Sequence, residues 1–460
     1  MNQTPVSENK MGVMPVGRLL MNMATPMIIA MMVQALYNVV DSVYVSRVSE
    51  SAVTALSLAF PVQMLQVGFS VGIGVGVNSL LSKSLGEKNQ EMVNRAAGNG
   101  ILLALGAIVL FMLFGIFGSR PYFQMQSKVA ETVEGGTAYT AICCTFTFGI
   151  FVEVLGERLL QSTGRTFHTL ISQGTGALLN ILLDPVFIFG VDWLGIPAMG
   201  IAGAAVATVI GQWVGAVLVI IFNLRCNPEI QFGLRYLKPE GAAIRQILAV
   251  GIPTTIMNSI GSVMNFGMNQ ILQGFHETAT GVFGIYYKLQ SFFFMPIFGI
   301  NNATISMIAY NYGARKPKRI TKTLKLSAAM AMAIMILGVA AFQLVPDQLL
   351  DLFHPSEDFL TIGRSALRII SIHFPVAAVC IVAGACFQAL GNGMYTTITS
   401  VCRQLLVLLP VAWLLARTGV LTLVWLAFPI AELVSLLLST IFLRRTLRRA
   451  DRIMASESPM

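Results

Sequence analysis

Twelve long apolar stretches leave this chain very few ways to fold. They cover about 19–45, 53–82, 97–118, 132–155, 167–190, 198–223, 246–273, 280–309, 325–346, 362–388, 394–416 and 420–443. Each is long enough to cross a hydrocarbon core of roughly 30 Å. Lipid offers a bare backbone no hydrogen-bond partner, so segments that cross it without closing into a barrel must be helices. Charged residues make up only 11% of the chain, against roughly 25% in a soluble domain. The expected fold is therefore an all-α polytopic membrane protein of twelve transmembrane helices. The first stretch is too long for a signal-peptide core and is followed by further spans, so no cleavable leader is expected. The six cysteines form no CxxC pair and the four histidines stand apart from one another, which points to no disulfide framework and no metal centre.

Basic residues orient the spans. With the N-terminus placed in the cytoplasm, twenty-two of the thirty Lys and Arg fall on cytoplasmic tails and loops. Arg47, Arg120, Lys128 and Arg417 fall on the opposite side, and Lys288, Arg364, Arg368 and Arg403 lie in or at the mouths of helices. This bias predicts both termini in the cytoplasm of a cell (plasma) membrane protein. The net charge of +9 then reports basic loops on one face, and no nucleic-acid partner is expected.

The chain also repeats itself. A shift of 227 residues lays Pro26 on Pro253, Asn38 on Asn265, Gln63 on Gln290, Gly72 on Gly299, Gln161 on Gln388 and Gly164 on Gly391. Each half has six helices, so the two copies share an orientation and are related by a pseudo-two-fold along the membrane normal. The expected organisation is an N-terminal six-helix lobe at 1–224, a cytoplasmic linker at 225–245, a C-terminal six-helix lobe at 246–443 and a basic tail at 444–460. Two such lobes are the architecture of a transporter that rocks about a central site, working by alternating access.

Two acids stand out in this apolar background. Asp41 lies near the end of the first stretch, with Gln34, Tyr37 and Asn38 at helical spacing before it. In the fifth stretch Asn180 and Asp184 are four apart, and Pro185 displaces the carbonyl of Ile181. Both stretches run outward, which sets the two carboxylates at similar depth, and Thr208 of the sixth stretch reaches a comparable level. An acid inside a span marks a functional site by default. The plain alternative is that each Asp bonds a neighbouring helix or faces headgroup water. Two carboxylates close together in a low dielectric cannot both stay charged, which suits proton binding. Carboxylate, amide, hydroxyl and a freed carbonyl equally suit Na⁺ at Asp41, Asn180, Asp184 and Thr208. The second half lacks these groups: Asp41 maps to Met268, Asn180 to Val407 and Asp184 to Val411.

Other embedded groups are candidates for the substrate path. Met27, Met31, Met64, Met257, Met264 and Met268 lie in helices bordering the expected cleft, and thioethers adapt to many apolar shapes. Tyr139 is expected beside Tyr37, Asn265 corresponds to Asn38, and Lys288 either snorkels or lines the cavity. Arg403 is expected to pair with Glu432. Glu153, Glu157 and Arg158 read as a gate or solvated cytoplasmic mouth.

Taken together, these motifs resemble the multidrug and toxic compound extrusion (MATE) transporters. The resemblance covers Arg18 to Leu443. It rests on Pro26 followed after ten residues by YNVVD, on SKSLGEKN, QSTGR and NILLDPVFIFG, and on YNYGARKP and FQALGNG in the second half. It implies export of amphipathic or cationic drugs and toxic organic compounds against inward H⁺ or Na⁺, with no enzymatic step and no cofactor. By motif, the cation site of the DNA-damage-inducible-type branch carries onto Asp41, Asn180, Asp184 and Thr208, with Gln34, Tyr37 and Tyr139 as neighbours. The chain departs from the branch with acids in its seventh and tenth spans, where Asn258, Asn265 and His373 stand instead. Expected partners are small organic drugs and the bilayer, with the protein acting as a monomer. The alternative within the same superfamily is a flippase for lipids or lipid-linked oligosaccharides. That activity would need a strongly cationic cavity, and only Lys288, Arg403, Arg364 and Arg368 are embedded cations.

Overall fold

The computed structural model describes residues 9–191, 195–275, 277–351 and 357–456. Helices dominate it, and among the described residues the only extended pairing is an isolated bridge between Val191 and Ile196. Ten helices are long and apolar enough to cross a membrane, and two bent helix pairs bring the number to twelve. In order, the spans are 1, Val16–Asp41; 2, Thr54–Gly86; 3, Gln90–Gln126; and 4, Ala130–Thr145 with Phe148–Ser162. Spans 5 to 8 are Thr166–Phe189, Ile201–Cys226, Gly241–Gln273 and Thr278–Gly313. Span 9 is Pro317–Leu344, span 10 is Glu357–Ser371 with Phe374–Ala389, span 11 is Gly393–Ala416 and span 12 is Leu421–Ser456. The chain is thus an all-α polytopic membrane protein with two six-helix lobes.

The two bent spans mark the repeat in the backbone. Span 4 bends by 46° and span 10 by 48°, with breaks at 146–147 and 372–373. A break in lipid exposes carbonyls that something must satisfy. In span 4, Trp213 donates its Nε1–H to the Phe146 carbonyl at 3.2 Å. Gln66 donates to the Cys143 carbonyl at 3.2 Å and to the Thr147 hydroxyl at 2.5 Å.

The contacts gather into two compact units, residues 29–255 and residues 1–28 with 256–460. Their limits fall inside spans 1 and 7, shortly after Pro26 and Pro253, and do not coincide with the linker 225–245.

In the unit formed by 29–255, spans 5 and 6 pack backbone to backbone. Gly203, Ala207, Gly211 and Gly215 repeat every fourth residue along one stripe of span 6, a spacing that lets helices approach closely. A Cβ on Gly211 would stand 2.7 Å from the Gly176 carbonyl oxygen, and one on Gly203 would run into the Phe187 carbonyl. Span 5 ends at Gly190, whose φ of +76° only glycine adopts freely. The linker is fastened to this unit. Asn94 and Asn99 accept from the amides of Gln231 and Glu240, each at 2.9 Å, and Arg95 pairs with Glu240 at 2.5 Å.

In the unit formed by 1–28 and 256–460, the N-terminal turn is pinned down by Arg319. Its guanidinium donates to the carbonyls of Met11 and Met14 at 3.0 and 2.7 Å, and to Asn311 Oδ1 at 2.9 Å. An aromatic core of Phe283, Tyr286, Phe342, Phe374 and Phe428 lies at the other end of spans 8 to 12.

Candidate functional site

The close seam between spans 5 and 6 is what lets short polar side chains meet. With its carbonyl turned to span 6, Asn180 donates its amide to Asp184 Oδ2 at 2.9 Å. Its Oδ1 then accepts from the Thr208 backbone N–H at 3.0 Å and from the Thr208 hydroxyl at 3.1 Å. Asp184 is fully buried and Asn180 is 3% exposed. Pro185 sits inside the helix Thr166–Phe189 without ending it.

Span 1 brings the second acid. Tyr37 lies with its hydroxyl 3.5 Å from Thr208 Oγ1, long for a hydroxyl pair. Asp41 lies one helical turn further on, close enough to Asp184 for their charges to interact. Tyr37 is within the same reach of both carboxylates. One oxygen of each acid, Asp41 Oδ1 and Asp184 Oδ1, is buried with no hydrogen-bond partner in the protein. A bare buried carboxylate oxygen is costly unless a ligand completes it. The arrangement can hold a proton or a small hard cation.

Tyr139 is 3% exposed and lies within electrostatic reach of Asp41 and Tyr37. Its hydroxyl accepts from Gln63 Nε2 at 2.6 Å. Gln63 is therefore a neighbour that the reading of motifs passed over, although its match to Gln290 under the repeat had singled it out. Gln34, Met31 and Met64 are half-buried and Asn38 is exposed.

Met257, Asn265, Lys288, Met264, Met268, Arg403 and Glu432 lie in the other unit. Met257 and Asn265 are half-buried and Lys288 is exposed. Asn265 donates to the Gly261 carbonyl of its own helix at 3.0 Å. Met264 and Met268 are buried at 5% and 0% exposure, which makes them core residues. Arg403 meets Glu432 at 3.1 Å, from a π-helical turn at Cys402–Leu408. Glu157 and Arg158 are each only 7% exposed, so they are buried between helices and do not form a solvated mouth.

Comparison with known proteins adds the family. The chain is 24% identical to the multidrug export protein MepA of Staphylococcus saprophyticus, over 88% of its own length and 89% of that protein. It is 23% identical to a FAD transporter of Shewanella oneidensis, over 86% and 88% of the two chains. A crystal structure of MATE in complex with MaL6 superposes with a TM-score of 0.91 at 24% identity, covering 97% of this chain and all of that one, a likeness of fold. The MatE family model matches twice, at residues 26–186 and 253–414, two stretches that begin 227 residues apart. Those matches cover most of both halves, and the chain belongs to the MatE family of membrane transporters.

Proposed function

We propose that this protein is a cation-coupled antiporter that exports amphipathic or cationic drugs and toxic organic compounds by alternating access. It works as a monomer in the plasma membrane, with both termini in the cytoplasm. The observation that carries this reading is the pair Asp41 and Asp184, each with one buried oxygen left unpartnered, with Asp184 linked through Asn180 and Thr208 towards Tyr37 and within electrostatic reach of Asp41. The likeness to multidrug export proteins supports the substrate class.

A proton or sodium ion entering from outside neutralises the pair. Removing that charge in a low dielectric changes the preferred partners of every group bonded to it. Such a local change can bias a two-state helix packing and release bound drug outward. Drug efflux from proteoliposomes under imposed proton or sodium gradients, applied one at a time, tests the coupling. Efflux is expected to follow one gradient and to vanish in Asp41→Asn while the protein stays folded. Full efflux by that variant, or response to neither gradient, would overturn the reading.

The likeness to a FAD transporter favours a second substrate class, a flavin dinucleotide. Loading the same liposomes with FAD separates the two: FAD export with no drug export would replace the first reading.

A further inference from the structure

Under the proposed orientation, a second set of charges, Glu157 and Arg158 buried and Glu153 half-buried, lies on the cytoplasmic side of the acid pair, along the same seam. The second helix of span 4, Phe148–Ser162, carries Glu153, Glu157 and Arg158. The Glu153 carboxylate lies against the small-residue stripe. Its Oε1 is where a Cβ on Gly215 would have to go, and it is 3.4 Å from the place of one on Gly176. About 12 Å of helix rise separates Gly176 from Asp184.

Unpartnered polar atoms surround this position. One turn below Gly176 on the same face of span 5, Ser172 is fully buried, and Thr169 is 2% exposed a turn further on. Neither hydroxyl has a hydrogen-bond partner, and Glu157 Oε1 is buried with none. Spans 4 and 5 run antiparallel, so the step from Glu153 to Glu157 and the step from Gly176 to Ser172 go the same way. Buried hydroxyls and a carboxylate oxygen left bare at one level are what an ion site looks like without its ion.

The charges do not balance. Arg158 is within electrostatic reach of Glu157 and donates to Gln161 Oε1 at 3.0 Å. That leaves two carboxylates against one cation. Among the described residues, spans 2, 3, 5 and 6 pack against this helix and supply no second buried one, Arg120 of span 3 being exposed. Lys83 pairs with Glu87 at 3.6 Å, Arg95 with Glu91 and Glu240, and Arg165 with Glu229 at 3.0 Å. His168 packs its ring on Phe222, and Arg225 is exposed at the end of span 6.

We propose that Glu153 and Glu157 form a second binding station for one monovalent cation, with the hydroxyls of Ser172 and Thr169 as neutral ligands. The proposal rests on the reading of Asp41 and Asp184 as the entry site, and gives the coupling ion a place to rest before it reaches the cytoplasm. A proton and a sodium ion share the chemistry that the station offers, a hard cation held by carboxylate and hydroxyl oxygen.

The test uses purified full-length protein carrying Asp41→Asn and Asp184→Asn, which removes the outer pair and keeps the inner one. One arm titrates sodium chloride in alkaline buffer by calorimetry. The other acidifies the protein in choline chloride and follows carboxyl bands by infrared difference spectroscopy. One cation equivalent per chain is expected to remain, in the sodium arm or in the acid arm. Glu153→Gln should remove it without lowering the Tm, and Glu153→Asp should restore it at weaker affinity. No bound cation in either arm, or a signal that Glu153→Gln leaves unchanged, would overturn the proposal. Neither arm records transport, so an outer-site reading that fails in the efflux assay leaves this result standing by itself.

Discussion

Among the described residues of 29–255, the buried Asp184 and Glu157 and the half-buried Asp41 and Glu153 are set against one buried cation, Arg158, whereas in the other unit Glu432 meets Arg403 at 3.1 Å. The backbone of the two halves is much the same: the family pattern recurs after 227 residues and spans 4 and 10 bend alike. The difference is in charge. A pair of opposite sign neutralises its own charge, even though Glu432 Oε1 is itself buried without a hydrogen-bond partner among the described residues. Replacing such a pair by well-packed apolar groups is often neutral. A buried surplus of carboxylate is incomplete, and a passing cation can complete it. On the proposed function, one copy of the duplicated scaffold responds to ions and the other stays as it is.

Four experiments would break or sharpen that contrast. The largest effect is expected from Asp184→Asn, which makes the first unit as unresponsive as the second; gradient-driven efflux should fall to background in the liposome assay. Next is Arg403→Met, which strands Glu432 at 2% exposure. It should cost about 3–5 kcal/mol in detergent unfolding, while the double variant with Glu432→Met recovers most of that. Recovery of stability with efflux still absent would show that the second pair is more than structural.

Gly211→Ala comes third. Its methyl would stand 2.7 Å from the Gly176 carbonyl, so the seam must open. Overpacking of this kind costs about 1–3 kcal/mol. It should also weaken cation binding by parting Asn180 from Thr208, read as a higher ion concentration for half-maximal efflux. The smallest effect is expected at the exposed pair of Arg364 and Asp347, joined at 2.8 Å. The guanidinium holds the Asp347 carboxyl below the usual carboxylate range. Its contribution is therefore present at neutral pH and lost as pH falls through that lowered value. Asp347→Asn should flatten this acid-side slope of Tm slightly and leave efflux unchanged.

Much of this was legible in the sequence because lipid makes polar residues conspicuous. Asp41, Asn180, Asp184 and Thr208 stand out in apolar helices, and helical spacing with basic-loop counting was enough to bring them to one depth. Tyr139 and Gln63 were harder, since their meeting depends on how spans 2 and 4 cross. Glu153 and Glu157 read as a gate or solvated mouth because distance along the chain suggested a helix end. The packing of spans 2, 3, 5 and 6, which composition does not encode, buries Glu157 and leaves Glu153 half-buried. Lys288 is exposed, as a snorkelling or cavity-lining lysine would be, and Asn265 bonds its own helix. The limits of the compact units were illegible, because they fall inside continuous helices, where no Gly–Pro–Ser run marks them.

Those limits have a consequence for how the protein is made. Residues 29–255 form a contiguous unit that is complete once residue 255 has entered the membrane, and domains generally fold in the order of their synthesis. Residues 1–28 belong to the other unit, where Leu19 and Met23 are fully buried and Met27 is 1% exposed. Part of their cover is span 8, packed so closely that a Cβ on Gly299 would stand 2.9 Å from Ile28 Cα. These turns must therefore wait in lipid while almost the whole of one unit assembles after them. They leave the ribosome ahead of that unit and find their place only after it.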